Sequence, residues 1–301
     1  FWGVNMVGVG LAGRLQVLMI AAMIGLFLLF AAWGAPTITP QAYAPLLPQG
    51  WAGVFAAIPL LIGLFFGIES STEIGDEVKN PRRTIPLGLA LSILAAVALY
   101  LMVGGVTMGV LGADALGASE TPLLDAAEVF MGPLAKPLIV TAAVVAIGTS
   151  INSLYLGFSR NLFAMARAGM LPAAMMKVHP RTGAPYVALS AILAGATLGL
   201  AAPMNLTALF LAVNIPTLIK YAGVNFAAAV VVRRHPEIYA AATFRLSKPA
   251  TLFWAYAGTV MAVIVALLGL GADWTPYVAL GVWALLGTGY YLAFVRKREA
   301  V

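Results

Sequence analysis

Glu69 is the first residue in this chain whose position raises a chemical question. Residues 65–86, FFGIESSTEIGDEVKNPRRTIP, begin as the end of an apolar segment that starts at Trp51, and they set a carboxylate into it. Gly67 lowers helix propensity, while Ser70, Ser71 and Thr72 offer hydroxyls that compete for backbone hydrogen bonds, so GIESST predicts a helix break near residues 66–72. Backbone freed at membrane depth has to face a cavity, because an unsatisfied N–H or C=O costs several kcal/mol in hydrocarbon. Facing a polar solute, the same groups form a binding site, with Glu69 beside them as a chargeable group. The other reading ends the membrane near Gly67 and makes Glu69 an interfacial carboxylate, and the spacing from Trp51 allows both.

Lys220 sits near the middle of another apolar segment, residues 206–232. A lysine there costs about 2.5 to 3.5 kcal/mol on insertion scales, so it either faces a wet cavity or a partner acid, or snorkels along its helix. In TSINSLYLGFSR, Thr149, Ser150, Asn152 and Ser153 concentrate polar groups at one depth. That patch suits a cation or solute and equally suits hydrogen bonding between helices. Asn214 and Pro216 are weaker candidates, marking a kink with freed carbonyls.

The rest of the composition says what these groups are embedded in. The chain has 301 residues, 62% hydrophobic and 9% charged, with a mean hydropathy of +0.97, which is more apolar surface than one water-soluble core can hide. Cysteine is absent, and the two histidines, His179 and His235, lie in separate polar segments. A thiolate metal site, a cysteine nucleophile and a disulfide framework are thereby excluded. With no His–acid cluster in any apolar segment, an intramembrane enzyme is not expected. The net charge of +6 does not point to nucleic acid, since there is no basic helix or aromatic–basic platform. The chain opens Phe1–Trp2 without a signal-peptide pattern and reads as one cut in mid-protein.

A spanning helix needs about 20 mostly apolar residues. Eight segments are expected to cross: residues 15–33, 51–68, 87–111, 134–158, 186–201, 206–232, 252–270 and 277–295. With a crossing at each, every Lys and Arg except Lys136 and Lys220 falls on one side, which the positive-inside rule makes cytoplasmic, together with both chain ends. The external TPLLDAAEVF predicts a short surface helix capped by Thr121 with Pro122 first, either a lid or a solvated loop helix. At the inner face, Pro81 is expected to end a half-helix that Arg82 and Arg83 anchor. Arg160 and Arg167 share a helix face, placed either to hold Glu73, Asp76 or Glu77 in an inner gate or to anchor the surface.

The stretch that holds Glu69 resembles the signature of the amino acid-polyamine-organocation (APC) transporters. Its Gly-x-acid step is Gly67, Ile68 and Glu69, and the Glu-x-x-Asn-Pro-x-Arg-x-x-Pro link that follows is matched by Glu77, Asn80, Pro81, Arg83 and Pro86. SRNLFAMARAGMLPAAMMKVHPRTGAPYVAL is similar to the family's link from the eighth to the ninth helix, and NMVGVGLAGRLQ to the entrance of the fifth. The matches follow the family's order over essentially the whole chain.

The resemblance implies an all-α polytopic membrane protein with a LeuT-like inverted-repeat fold, lacking most of the first repeat, whose eight transmembrane helices correspond to helices five to twelve of a twelve-helix amino acid permease. Residues 1–34 would be the last helix of the first repeat. Residues 51–232 would be the complete second five-helix repeat, and residues 249–301 two peripheral helices with a cytoplasmic tail.

It further implies secondary active transport of amino acids or related amines by alternating access, with no resident cofactor and with a proton, sodium ion or counter-substrate as the coupling partner. The substrate amine is expected to meet the backbone of Phe65, Phe66, Gly67, Ile68, Glu69 and Ser70. Glu69 and Lys220, with Ser150, Asn152 and Ser153, are expected to serve gating or ion coupling. The family's usual gating aromatic falls on Gly63, and the fifth-helix lysine of proton-coupled relatives falls near Met23, so Lys220 is the candidate embedded cation and Glu69 its candidate partner. Expected partners are the lipid bilayer and the amine substrate, without nucleic acid or metal, and a homodimer stays open. The expected location is a bacterial inner membrane. The alternative is a nontransporting truncated remnant, because the partner broken helix is absent from the chain.

Overall fold

The computed structural model describes residues 1–67, 78–200, 206–242, 244–271 and 273–296, and among them every regular element is helical. The helices are α1 (Trp2–Val7), α2 (Val9–Gly34), α3 (Gly50–Leu61), α4 (Pro81–Ala118), α5 (Pro122–Met131), α6 (Ala135–Arg167), α7 (Tyr186–Gly199), α8 (Leu206–Arg234), α9 (Pro236–Ala241), α10 (Lys248–Leu268) and α11 (Thr275–Tyr290). Prolines stand in the first turn of α5, α9, α10 and α11, where the missing N–H is no loss.

Six stretches among the described residues are long and apolar enough to cross a bilayer: Val9–Thr37, Pro81–Ala118, Pro122–Arg167, Ala208–Arg234, Lys248–Gly271 and Thr275–Val295. Only 11% of the apolar window of the first and 6% of the second is buried, so their apolar side chains are left for lipid. The other two expected crossings are shorter as helices. Residues 51–68 yield the 12-residue α3, which tightens into a 3₁₀ turn at Ile62–Phe65, and residues 186–201 yield the 14-residue α7.

The chain divides into two compact units, one of Phe1–Pro48 with Ala90–Gly199 and one of Gln49–Leu89 with Leu200–Val301. In the first, Phe30 and Ala31 of α2, Val106 of α4, Ala126, Ala127 and Met131 of α5, and Ala135 of α6 form one core. Small residues let these helices close on one another. At Gly34 a Cβ would stand 2.5 Å from Val106 and 2.8 Å from the Phe130 ring, while Phe130 itself meets Phe30 edge-on at 5.3 Å between centroids. The expected surface helix at 122–131 is thus a core element along one face, with Ala126 and Ala127 fully buried. Thr121 stands at its N-cap, but the hydroxyl bonds Asp125 Oδ1 at 3.0 Å rather than a backbone N–H.

In the second unit, Leu218 of α8 and Ala262, Val265 and Ala266 of α10 form a core against which Ile58, Ile62 and Phe66 pack. Pro81 opens α4, and Asn80 before it takes the left-handed φ of 52°, while residues 68–77, where the half-helix expected before Pro81 would run, lie outside the described residues.

Candidate functional site

The backbone changes character where the sequence predicts a break. The α-helix from Gly50 gives way at Ile62 to 3₁₀ geometry, which ends at Phe65. Phe66 is extended at φ −74° and ψ 154°, and Gly67 has φ +96°, a conformation that glycine alone adopts readily. Phe66 N donates to Gly63 O at 3.1 Å, so one turn closes before the chain leaves the helix. Ile68, Glu69 and Ser70 lie outside the described residues, as do Glu73, Asp76 and Glu77.

An aromatic side chain from α8 packs on this helix end. The Phe66 ring meets Tyr221 edge-on, with centroids 5.4 Å apart and planes at 88°. Lys220 Nζ lies 5.6 Å from the centroid of the same Tyr221 ring, within reach of a cation–π interaction worth about 0.5–2 kcal/mol. Phe66 and Lys220, far apart in the chain, therefore meet through one aromatic ring. The Phe65 side chain is half-buried on the turn before, and Gly67 is exposed. Sequence reasoning passed over Tyr221, although an aromatic adjoining a mid-membrane lysine was the available signal.

One turn earlier, Gly63 gives α8 room to approach. A Cβ there would stand 2.5 Å from Asn214 Oδ1 and 3.1 Å from Asn214 Nδ2, and Asn214 is 2% exposed. The buried carboxamide thus fills the space in which any side chain at residue 63 would project.

The patch on α6 has a different setting, inside the first unit. Asn5 Nδ2 donates to Asn152 Oδ1 at 2.9 Å, and Asn152 Nδ2 donates to Gln16 Oε1 at 2.8 Å and to Ala12 O at 3.0 Å. Gln16 Nε2 donates to Ser153 Oγ at 2.8 Å and to Thr149 O at 3.2 Å. Three carboxamides are thereby aligned in one direction from α1 through α6 to α2, an arrangement in which each bond polarises the next. Asn152 is fully buried, and on Asn5, the first donor of the run, Oδ1 is buried without a hydrogen bond among the described residues. Ser150 stands apart, exposed and bonded to Ala146 O of its own helix. Asn5 and Gln16 were missed as partners, their signal being polar residues in the otherwise apolar opening of the chain. Arg160 Nη1 donates to Leu156 O at 3.2 Å and to Ser159 Oγ at 2.9 Å within its own helix.

The sequence was compared with known proteins. The family model described as amino acid permease matches residues 1–286. The branched-chain amino acid permease BcaP of Bacillus subtilis (strain 168) is 28% identical over 294 residues, covering 97% of this chain and 61% of the relative. The methylthioribose transporter of the same organism shows the same identity and coverage. The vacuolar cationic amino acid transporter 4 of Arabidopsis thaliana is 31% identical over 198 residues, 65% of this chain and 32% of the relative. The chain therefore spans 61% of the length of the two bacterial relatives. With its family model matched across nearly every residue and its long apolar helices left open to lipid, this chain belongs to the amino acid permease family.

Proposed function

We propose that this chain is part of a secondary transporter that moves an amino acid or a related small organic solute across a membrane by alternating access. The observation that carries the reading is the family match over residues 1–286, and the helix end at Phe65–Gly67 supports a place for the solute. The order of the motifs along the chain supports a correspondence to helices five to twelve of a LeuT-like, twelve-helix protein, with the eight apolar segments as its crossings. The wider protein then sits in a bacterial inner membrane, with both ends of this chain cytoplasmic.

Backbone at Phe65, Phe66, Gly67, Ile68, Glu69 and Ser70 meets the substrate amine. Glu69 and Lys220 form the chargeable pair that couples solute movement to a proton, sodium ion or counter-substrate. Support for Lys220 comes from its seat beside Tyr221 and Phe66, at the end of the helix that leads to Glu69. Thr149, Asn152 and Ser153 act on transport through the helix contacts they hold.

The names of the relatives frame the substrate test. Proteoliposomes holding the protein expressed from its complete reading frame are given labelled leucine, arginine and methylthioribose. Saturable uptake of one, competed by its unlabelled form, supports the proposal; uptake of all three at the rate of protein-free liposomes refutes it.

A further inference from the structure

The connection between α8 and α10 borders an open cavity of about 460 Å³, lined in part by Tyr239, Ala240, Arg245, Ser247 and Lys248. Its charged lining is two cations, with no acid among the described lining residues. Arg245 is fixed in place: Nη1 donates to Ala240 O and, at 3.5 Å, to Tyr239 O, while Cζ lies 5.8 Å from the centroid of the Tyr239 ring. A guanidinium carries five N–H donors, and these contacts engage Nη1 alone. The Tyr239 hydroxyl donates to Leu246 O and ties α9 to the segment that leads into α10. The nearby carboxylate, Glu237, stands 3.4 Å from His235 Nδ1 and is not part of the lining.

The depth of this cavity is set by its neighbours. Ala208–Arg234 and Lys248–Gly271 are spans, so the connection between them lies at the bilayer surface, at the level of lipid headgroups. Leu246 of the lining is 49% exposed, and Ile238 and Phe244, next in the chain to the lining residues Tyr239 and Arg245, are 58% and 71% exposed. A cationic hollow with an apolar rim at that depth matches an amphiphile with a single anionic head. A soluble anion has no use for the rim, and a zwitterionic headgroup brings its own cation to the same place.

We propose that this cavity holds the phosphate of an anionic phospholipid, with Arg245 and Lys248 on the headgroup and the acyl chains along Ile238, Phe244 and Leu246. Each basic residue at the membrane surface strengthens attraction to anionic lipid by about five- to sixfold, so the pair accounts for about thirtyfold.

Native mass spectrometry of the full-length protein in detergent tests this, with phosphatidylglycerol and phosphatidylcholine of identical chains as probes. The unmodified protein is expected to bind one phosphatidylglycerol in preference to phosphatidylcholine, and millimolar inorganic phosphate is expected not to displace it. An Arg245→Ala/Lys248→Ala variant should bind phosphatidylglycerol about thirtyfold more weakly. A Lys177→Ala/Arg181→Ala variant, which loses the same charge from another loop, should match the unmodified protein. Equal binding of the two lipids by the unmodified protein, displacement by inorganic phosphate, or an equal loss in both variants overturns the proposal. The lipid comparison needs no substitution, so it stands even where a variant fails to fold.

Discussion

Asn214 occupies the room beside Gly63 that any larger residue would need, its Oδ1 standing 2.5 Å from the position of an added Cβ. This contact lies within the 3₁₀ turn that ends at Phe65, so it couples the packing of α8 to the geometry of that end. Gly63→Ala should therefore displace the carboxamide and destabilise the protein by about 1–3 kcal/mol, in the range for overpacked cores. Thermal unfolding in detergent measures it. Gly63→Ala combined with Asn214→Ala should recover part of the loss, and a double variant that is additive instead would remove the contact from the account.

The carboxamide chain through Asn152 makes a second prediction. Asn152→Leu removes the partner of Asn5 Nδ2, Gln16 Oε1 and Ala12 O in a fully buried place, a loss of about 1–3 kcal/mol. Ser150→Ala, which removes one bond rather than three because the hydroxyl meets only Ala146 O of its own helix, should stay within about 0.5 kcal/mol of the parent. Comparable losses in the two variants would show that the aligned amides hold no special place in the first unit.

Lys220 and Tyr221 should separate charge from shape. Lys220→Met keeps the length of the side chain and removes its cation, and uptake is expected to fall to background while the amount of folded protein, followed by size-exclusion chromatography, is retained. Tyr221→Phe preserves the ring against Phe66 and Lys220, whereas Tyr221→Leu loses it with about 0.5–2 kcal/mol of cation–π attraction, so Tyr221→Leu should transport more slowly than Tyr221→Phe. Normal coupling in Lys220→Met removes the embedded cation from the mechanism.

Much of this protein is legible in its sequence because bilayer is a demanding solvent. Long apolar runs bounded by Pro, Gly and basic residues return as helices, and six of the eight expected crossings have spanning length. Hydropathy sees only how apolar a residue is, so it could not show that residues 62–65 tighten into a 3₁₀ turn before the chain becomes extended at Phe66. Nor could it bury TPLLDAAEVF, since the small side chains of Ala126 and Ala127 read as neutral surface until Phe30 and Val106 close over them. Polarity in an apolar setting singled out Asn152, Ser153 and Lys220 in the sequence but not what they touch. The partners Gln16 and Asn5 lie 136 and 147 residues away, and Tyr221 is one aromatic among many. Pairing across such separations is set by packing, which periodicity does not encode.

The central claim is movement of a solute against its gradient. Proteoliposomes holding the full-length protein, given an inward proton or sodium gradient or preloaded with unlabelled solute, are followed for accumulation of the labelled substrate, with residues 1–301 alone in a parallel set. The account predicts that the full-length protein accumulates substrate above the outside concentration, that Lys220→Met does not, and that residues 1–301 alone do not. Accumulation by residues 1–301 alone would contradict the two-repeat site, and no accumulation by the full-length protein under any of the three driving conditions would contradict transport itself.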